Sequence, residues 1–327
     1  MKPFYHIDAT SFEDATAQLA KYGDKARVIA GGTDLITELR SRCIEGNKVP
    51  PKQPEVLVNI KTIKDADYIR MDGSVLKVGA LAKVHALETS SVVQQSCPLL
   101  SQAAHVMGTY QIRLMGTVAG NICQDVRCWY YRRREFNCLR KGGLTCFAQA
   151  GENSRMHSIF GGKSGCYATN QSDLATALTA LDANIVTTQR TIAIKDFFID
   201  TGPGHVLKPD EIIKEIQVTP PPSGTKQSYT KWQPMKSHGF GVVKVAAALT
   251  MSGTTCTAAR IALGGVAPTP MRATAAEAAI AGQTVNEASA TSAAAKAVEN
   301  AVPMTKNAYK VVVTKALIKR AILASVM

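Results

Sequence analysis

Five of the eight cysteines, Cys123, Cys128, Cys138, Cys146 and Cys166, fall within 44 residues, dense enough for thiolates to share a metal group. The span between them has little apolar periodicity with which to order itself, and loops that long are usually functional. Structural zinc favours paired C-x-x-C knuckles, which are missing here; the spacings from Cys128 onward are 10, 8 and 20. A 4Fe-4S cluster needs four thiolates and tolerates scattered ligands, so it fits better than zinc, with unligated thiols as a third reading. Arg127, Arg132, Arg133, Arg134, Arg140 and Lys141 crowd the same span. Such charge would stabilise an anionic thiolate group, or form a solvated basic face or a contact patch for an acidic partner. His157, the one histidine of the span, is a ligand candidate by its type alone.

Two glycine-bearing turns are the other candidates. Gly31 and Gly32 permit positive φ and close backbone approach, and Thr33 and Asp34 can begin a helix. Backbone amides there could hold a phosphate. The order Gly-Gly-Thr-Asp lacks both the G-x-G-x-x-G spacing and the P-loop lysine, so neither standard nucleotide motif applies, and a plain strand-to-helix turn is the competing reading. The second turn, Gly116 to Asn121, offers small residues, a hydroxyl and an amide. It could pack on a neighbour, or pair with the first turn to grip one dinucleotide.

The elements that must position these residues read as mixed α and β. Ser11 can cap a helix over 12–22, and Ala26 to Ala30 is a short buried strand running into the first turn, followed by a helix over Leu35 to Arg40. Strands are expected at Val56 to Ile60 and Val75 to Val78, and helix from about Ala82 to Met107 with a break near Pro98. Beyond the cysteine span come a helix over Ser172 to Asp182 and strands at Ala183 to Val186 and Ile212 to Val218. Three consecutive prolines within Thr219 to Gly224 mark a linker. Neighbouring strands at Val242 to Thr250 and Thr255 to Leu263 and alanine-rich helices to about Ser325 follow.

The chain has 327 residues, more than one hydrophobic core usually serves, so two or three domains are expected. A hydrophobic fraction of 46% and a charged fraction of 19% exclude collagen-like, coiled-coil and wholly disordered classes. The longest apolar run, Val242 to Met251, is short and interrupted by Lys244, which excludes a membrane-spanning segment. Met1 to Phe12 lacks a signal-peptide apolar stretch, so the expected compartment is cytoplasmic, where thiols stay reduced and metal ligation gains weight. A formal charge of +13 admits nucleic acid, an acidic protein or anionic cofactor phosphates.

Ala30-Gly-Gly-Thr-Asp-Leu35, Gln111-Ile-Arg113 leading into Gly116-Thr-Val-Ala-Gly-Asn121, and Gly264-Gly-Val-Ala-Pro268 followed by Pro270-Met-Arg-Ala273 together resemble the FAD-binding medium subunit of the xanthine dehydrogenase, or molybdenum hydroxylase, family. The resemblance covers nearly the whole chain. Arg127-Cys128-Trp129-Tyr130-Tyr131, Cys138-Leu-Arg-Lys-Gly142, Cys146 and Cys166-Tyr-Ala-Thr169 resemble the branch with an extra 4Fe-4S cluster, which includes 4-hydroxybenzoyl-CoA reductase and certain aldehyde oxidoreductases. The resemblance implies Cys128, Cys138, Cys146 and Cys166 as cluster ligands, with Cys123 a buried thiol of the second turn. It implies that Ile29, Ala30, Gly31, Gly32, Thr33, Asp34 and Leu35 surround the FAD pyrophosphate, and that Thr117, Gly120 and Asn121 approach its ribityl and phosphate region. Asp173 would contact the flavin end and Lys231 would lie near the ring. Two positions depart from the pattern: Gln171 stands where proline is common, and 232–239 lacks an arginine frequent there.

The fold so implied is α+β. A two-part FAD-binding domain of the vanillyl-alcohol-oxidase (PCMH) type spans 1–222, with a cysteine-rich iron-sulfur insertion at about 123–168. A small α+β domain like the CO dehydrogenase flavoprotein C-terminal domain spans 223–327. The function implied is electron transfer through FAD and a 4Fe-4S cluster, between an external carrier and partners comprising a molybdenum-pterin large subunit and a small subunit with two 2Fe-2S clusters. No catalytic residue is assigned to this chain, because cofactors perform the redox step. Two rivals stand beside this reading. A zinc-stabilised nucleic-acid-binding protein would explain the charge and the cysteines but neither glycine turn, and the aromatic fraction is only 6%. An independent flavoenzyme with its own organic substrate would keep the FAD motifs, yet no Ser/His/Asp or paired-carboxylate constellation stands out.

Overall fold

A computed structural model of the chain describes residues 1–235 and 239–326, so the 236–238 part of the arginine-lacking segment lies outside the described residues. Ser11 caps the first helix, Phe12–Tyr22, accepting from the Asp14 N–H at 3.0 Å, and Ala15 and Leu19 bury its apolar face. That face covers a parallel three-stranded sheet of order β1 (Tyr5–Asp8), β3 (Val56–Asn59), β2 (Ala26–Ile29). Strand β2 delivers the chain into Gly31 and Gly32 and then the Leu35–Ser41 helix. Strand β1 is short and largely exposed, and was not expected.

A second, five-stranded sheet has the order β4 (Ile69–Asp72), β5 (Val75–Gly79), β8 (Ile213–Val218), β6 (Asn184–Thr187), β7 (Thr191–Ala193). The expected 82–107 helix is three short ones, Val84–Thr89, Ser91–Ser96 and Pro98–His105. Ser90 caps the second, and Pro98 opens the third, where its missing N–H costs nothing. With the Asp173–Ala180 helix they cover this sheet and bury Leu76, Val78, Leu99, Leu178 and Ile216.

After the proline stretch comes an antiparallel four-stranded sheet of order β12 (Met271–Arg272), β11 (Thr255–Gly264), β10 (Val243–Ser252), β9 (Thr225–Trp232). Helices Thr274–Ile280, Glu287–Lys296 and Tyr309–Leu323 pack on it; their small alanines bring helix and sheet backbones close over Val245, Ile261 and Ile318.

The cysteine span has almost no regular structure beyond a short 3-10 turn at Leu139–Lys141, as expected. It is nonetheless ordered by its own contacts, which the sparse periodicity did not foretell. Val126, Tyr130, Tyr131 and Phe136 form an apolar cluster against Leu35, Leu39 and Ile44. The rings of Tyr130 and Phe136 meet edge-on at 5.0 Å. The same span docks on the C-terminal sheet and helices: Ile159 N–H donates to Val266 O at 2.8 Å, and Val302 N–H to Ile159 O at 2.7 Å.

Lys310, wholly buried on the last helix, completes that docking by donating from Nζ to the carbonyls of His157 at 2.9 Å and Gly265 at 2.8 Å. Burial, reinforced by Lys244, pushes its ammonium down to about 7. The unfolded chain therefore binds more protons than the fold between that value and the ordinary lysine value of about 10.4, and the contribution of Lys310 to stability rises with pH across that window. Lys310→Met removes this linkage, leaves the Gly265 carbonyl without its donor and leaves the His157 carbonyl with Asn307 alone. The gap in urea midpoint between the native chain and Lys310→Met should widen from about pH 7 to about pH 9.5, as should a deficit of about 1–3 kcal/mol. A gap independent of pH would mean that this amine does not titrate there.

Candidate functional site

The two glycine turns meet. A Cβ on Gly31 would overlap the Met115 carbonyl oxygen and come to 3.0 Å from Gly116 Cα, so the absent side chain lets one turn lie against the other. Gly32 answers a different need: its φ is +69°, a left-handed conformation that side chains resist. The second turn is more regular than its sequence suggests. Thr117 caps a short helix, Val118–Ile122, accepting from the Gly120 N–H at 3.2 Å.

Between the turns opens a cavity of about 690 Å3. Its wall includes Ile29, Ala30, Gly31, Gly32, Thr33, Asp34 and Leu35 from the first turn and Thr117, Gly120 and Asn121 from the second. Among the described residues the N–H groups of Gly31, Thr33 and Asp34 donate to no protein acceptor, leaving them for a ligand. Asp173 lines the cavity as well. Lys231 lies just behind it, its Nζ 3.0 Å from Asp173 Oδ2 and also donating to Val106 O at 2.9 Å.

Sequence reasoning missed several companions. Tyr229, two residues before Lys231 on β9 and so on the same face, donates to Asp173 Oδ1 at 2.9 Å. Lys244 stands directly opposite Lys231 in the β9–β10 register, wholly buried, donating to Gln171 O at 2.6 Å and 4.0 Å from Asp173 Oδ1. Burial pushes Lys244 down to about 8, with the Asp173 charge opposing. A lysine interrupting an apolar strand was the available signal. Phe240 and Arg127 also line the cavity, the guanidinium 4.7 Å from the ring centre. Phe240 is thus an aromatic residue in the cavity wall.

Asp34 does more than expected. Its carboxylate makes no helix-capping bond; it accepts from Arg127, from Arg132 at 2.9 Å and from the Asp125 N–H at 2.8 Å. Glu38, one turn on, pairs with Arg27 at 2.8 Å and Arg132 at 3.3 Å. Asp125 pairs with Arg140 at 3.1 Å and accepts from Tyr131 at 2.6 Å. Burial works to raise the Asp125 carboxyl, and Arg140 and Arg132 outweigh it, holding it below the usual range. Arg127, Arg132, Arg140 and Lys141 therefore point inward; Arg133 and Arg134 stay exposed, with Arg133 stacked 3.9 Å over Trp129.

Beyond Arg127 lies a second, smaller cavity, lined by Cys128, Cys138, Cys146 and Cys166 together. All four thiols are free. Burial pushes Cys128 up to about 12 and raises Cys138 and Cys166. Among the described residues no three His, Cys, Asp or Glu converge closely enough to hold a single ion, so the thiols surround a space and do not meet at a point. Cys123 faces the first cavity instead, its thiol pushed by burial to about 12. His157 is not in the wall, but its Nε2 lies 3.3 Å from Cys128 Sγ.

Residues 2–221 match the family model described as the FAD binding domain in molybdopterin dehydrogenase, and residues 228–325 match that of the CO dehydrogenase flavoprotein C-terminal domain. The chain is 33% identical to the Escherichia coli aldehyde oxidoreductase FAD-binding subunit, over 77% of this chain and 78% of that protein. To the carbon monoxide dehydrogenase medium chain of Afipia carboxidovorans it is 26% identical, over 80% and 74%. A solved chain of Hydrogenophaga pseudoflava carbon monoxide dehydrogenase superposes with a TM-score of 0.77 at 26% identity, covering 99% of this chain and 97% of that one.

Gly31→Ala should separate the two turns, because its new methyl group meets backbone and no movable side chain. Overpacking of about 1–3 kcal/mol at the cavity wall corresponds to roughly a tenfold to hundredfold weaker FAD association. Fluorescence titration of deflavinated protein reads it, and native affinity in a folded variant would show that this packing does not shape the cavity.

Proposed function

Because the chain belongs to the FAD-binding medium subunits of the xanthine dehydrogenase and CO dehydrogenase family of molybdenum hydroxylases, we propose that it is the FAD and 4Fe-4S electron-transfer subunit of a heteromeric molybdenum-containing hydroxylase, dehydrogenase or reductase. It would work in the cytoplasm, where its eight unbridged thiols stay reduced. The observation that carries the reading is the adjacency of the two cavities. Arg127 is in the wall of the first and Cys128, the next residue, is in the wall of the second.

In this reading the amides of Gly31, Thr33 and Asp34 hold the FAD pyrophosphate, with Ile29, Ala30, Gly32 and Leu35 shaping the approach. Thr117, Gly120 and Asn121 meet the ribityl and phosphate region. Asn121 is held for this by Ser172 Oγ, which donates to Asn121 Oδ1 at 2.6 Å. Asp173, clamped by Tyr229 and Lys231, faces the flavin end. FAD supplies electron exchange with partners, and the cluster supplies single-electron steps. Cys128, Cys138, Cys146 and Cys166 hold the cluster in a pocket that Tyr130, Tyr131 and Leu139 keep apolar. Substrate chemistry belongs to a molybdenum-pterin large subunit, reached through a small subunit with two 2Fe-2S clusters, and an external carrier takes or gives the electrons.

Anaerobically purified protein should contain about four iron and four sulfide per chain. Serine at Cys128, Cys138, Cys146 or Cys166 should lose them, and serine at Cys123 should not. Stoichiometric zinc without sulfide would overturn the cluster. The isolated chain should pass electrons between artificial donors and acceptors while leaving aldehydes, N-heterocycles and aryl-CoA thioesters unchanged. Turnover of any of these by the lone chain would make it an independent flavoenzyme.

A further inference from the structure

We propose that His157 is a positioning residue for the cysteine-bound cluster, donating a hydrogen bond from Nε2–H to the Cys128 sulfur and thereby raising the reduction potential of that cluster. This rests on the cluster reading given above. The ring is 2% exposed, and Nε2 lies 3.3 Å from Cys128 Sγ, within hydrogen-bond reach for sulfur. Nδ1 makes no well-formed hydrogen bond, with only the Asn153 backbone as a weaker neighbour. A ligating cysteine carries no proton, so in the loaded protein the only hydrogen bond open to this pair runs from nitrogen to sulfur. Putting the proton on Nδ1 would leave a buried donor with only the poorly aligned Asn153 backbone and turn the Nε2 lone pair toward an anionic sulfur.

The ring is aimed by its backbone. His157 bridges to Ala168; Ser158 N–H donates to Tyr167 O at 2.8 Å and Thr169 N–H to Met156 O at 3.0 Å. That short ladder joins the His157 segment to the residues following the ligand Cys166. From the other side Lys310 Nζ and Asn307 Nδ2 donate to the His157 carbonyl, at 2.9 Å and 3.3 Å. The histidine is therefore fixed to one ligand strand and to the C-terminal domain while its ring reaches a second ligand. Its role differs from ligation, since the four thiols already complete the set a cubane cluster needs. Each reduction adds negative charge to the cluster and its sulfurs, and a donor on a sulfur stabilises the more negative state.

The test is an EPR-monitored redox titration of the full-length, FAD-loaded chain in its complex, with iron, sulfide and flavin measured on the same samples. His157→Phe should retain all three while its reduction equilibrium weakens about tenfold, which for one electron is about 59 mV more negative. His157→Gln, which keeps an amide donor, should fall between the two. Should the phenylalanine variant fail to fold, pulsed EPR of native protein carrying isotope-labelled histidine decides: a weak nitrogen coupling through sulfur is expected. No coupling, or the strong coupling of an iron-bound nitrogen, overturns the proposal. An unchanged potential in His157→Phe overturns it while leaving the cluster standing. Native protein without iron and sulfide overturns the cluster reading, and this inference with it.

Discussion

The carboxylate of Asp34 is the contact on which both cavities depend. It closes the first glycine turn and accepts from Arg127, Arg132 and the Asp125 amide, all supplied by the cysteine span. Charges taken out of water are tolerated only when paired and hydrogen-bonded, and removing one partner of such a pair typically costs about 3–5 kcal/mol. The network continues without a break through Glu38 to Arg27 and through Asp125 to Arg140. The turn that shapes the first cavity and the span that carries the four thiols are consequently one electrostatic unit. An irregular segment with so few hydrogen-bonded elements can hold its thiols around a cavity because its guanidiniums are tied to a rigid strand-to-helix turn.

The C-terminal domain supports both cavities from behind. Its strand β9 presents Tyr229 and Lys231 to Asp173, and Lys244 on β10 approaches the same carboxylate. Two lysines opposite one another on neighbouring strands repel, and the shared Asp173 offsets that repulsion at the cavity floor. The domain also grips the cysteine span through Lys310, Asn307 and the Ile159 backbone. With the first glycine turn on one side and this domain on the other, the cysteine span packs between them.

Local signals in the sequence were reliable where local physics decides. Ser11 caps the Phe12–Tyr22 helix, and β2, β3, β5, β10 and β11 lie within a residue or two of where their apolar runs put them. Strand β1 was invisible because its four residues are largely exposed and owe their conformation to pairing with β3. Both glycine turns were legible as turns, but the reason for Gly31 was not. It is set by Met115 and Gly116, more than 80 positions away in the chain. The resemblance supplied Asp173 and Lys231, whereas Tyr229 and Lys244 become neighbours of Asp173 only when the C-terminal sheet packs on the Asp173–Ala180 helix. The basic cluster was misleading in a useful way: its residue types were evident, and its inward direction depends on carboxylates at 34, 38 and 125 that no local pattern connects.

That inward direction changes the meaning of the charge. Arg27, Arg127, Arg132 and Arg140 face only Asp34, Glu38 and Asp125, so one guanidinium is in excess where the two cavities adjoin. Burial, aided by the neighbouring Asp125 and Asp34, lifts the Glu38 carboxyl against the pull of Arg27 and Arg132. Nucleic-acid binding needs basic groups displayed on a surface, and these are enclosed. An enclosed positive excess stabilises enclosed anions, and the two groups proposed for these cavities, a pyrophosphate and a set of four thiolates, are both anionic. On the proposed function, part of the +13 charge is thus the counterpart of cofactors, and the fold keeps it there because Asp34 binds the cysteine span instead of capping its helix.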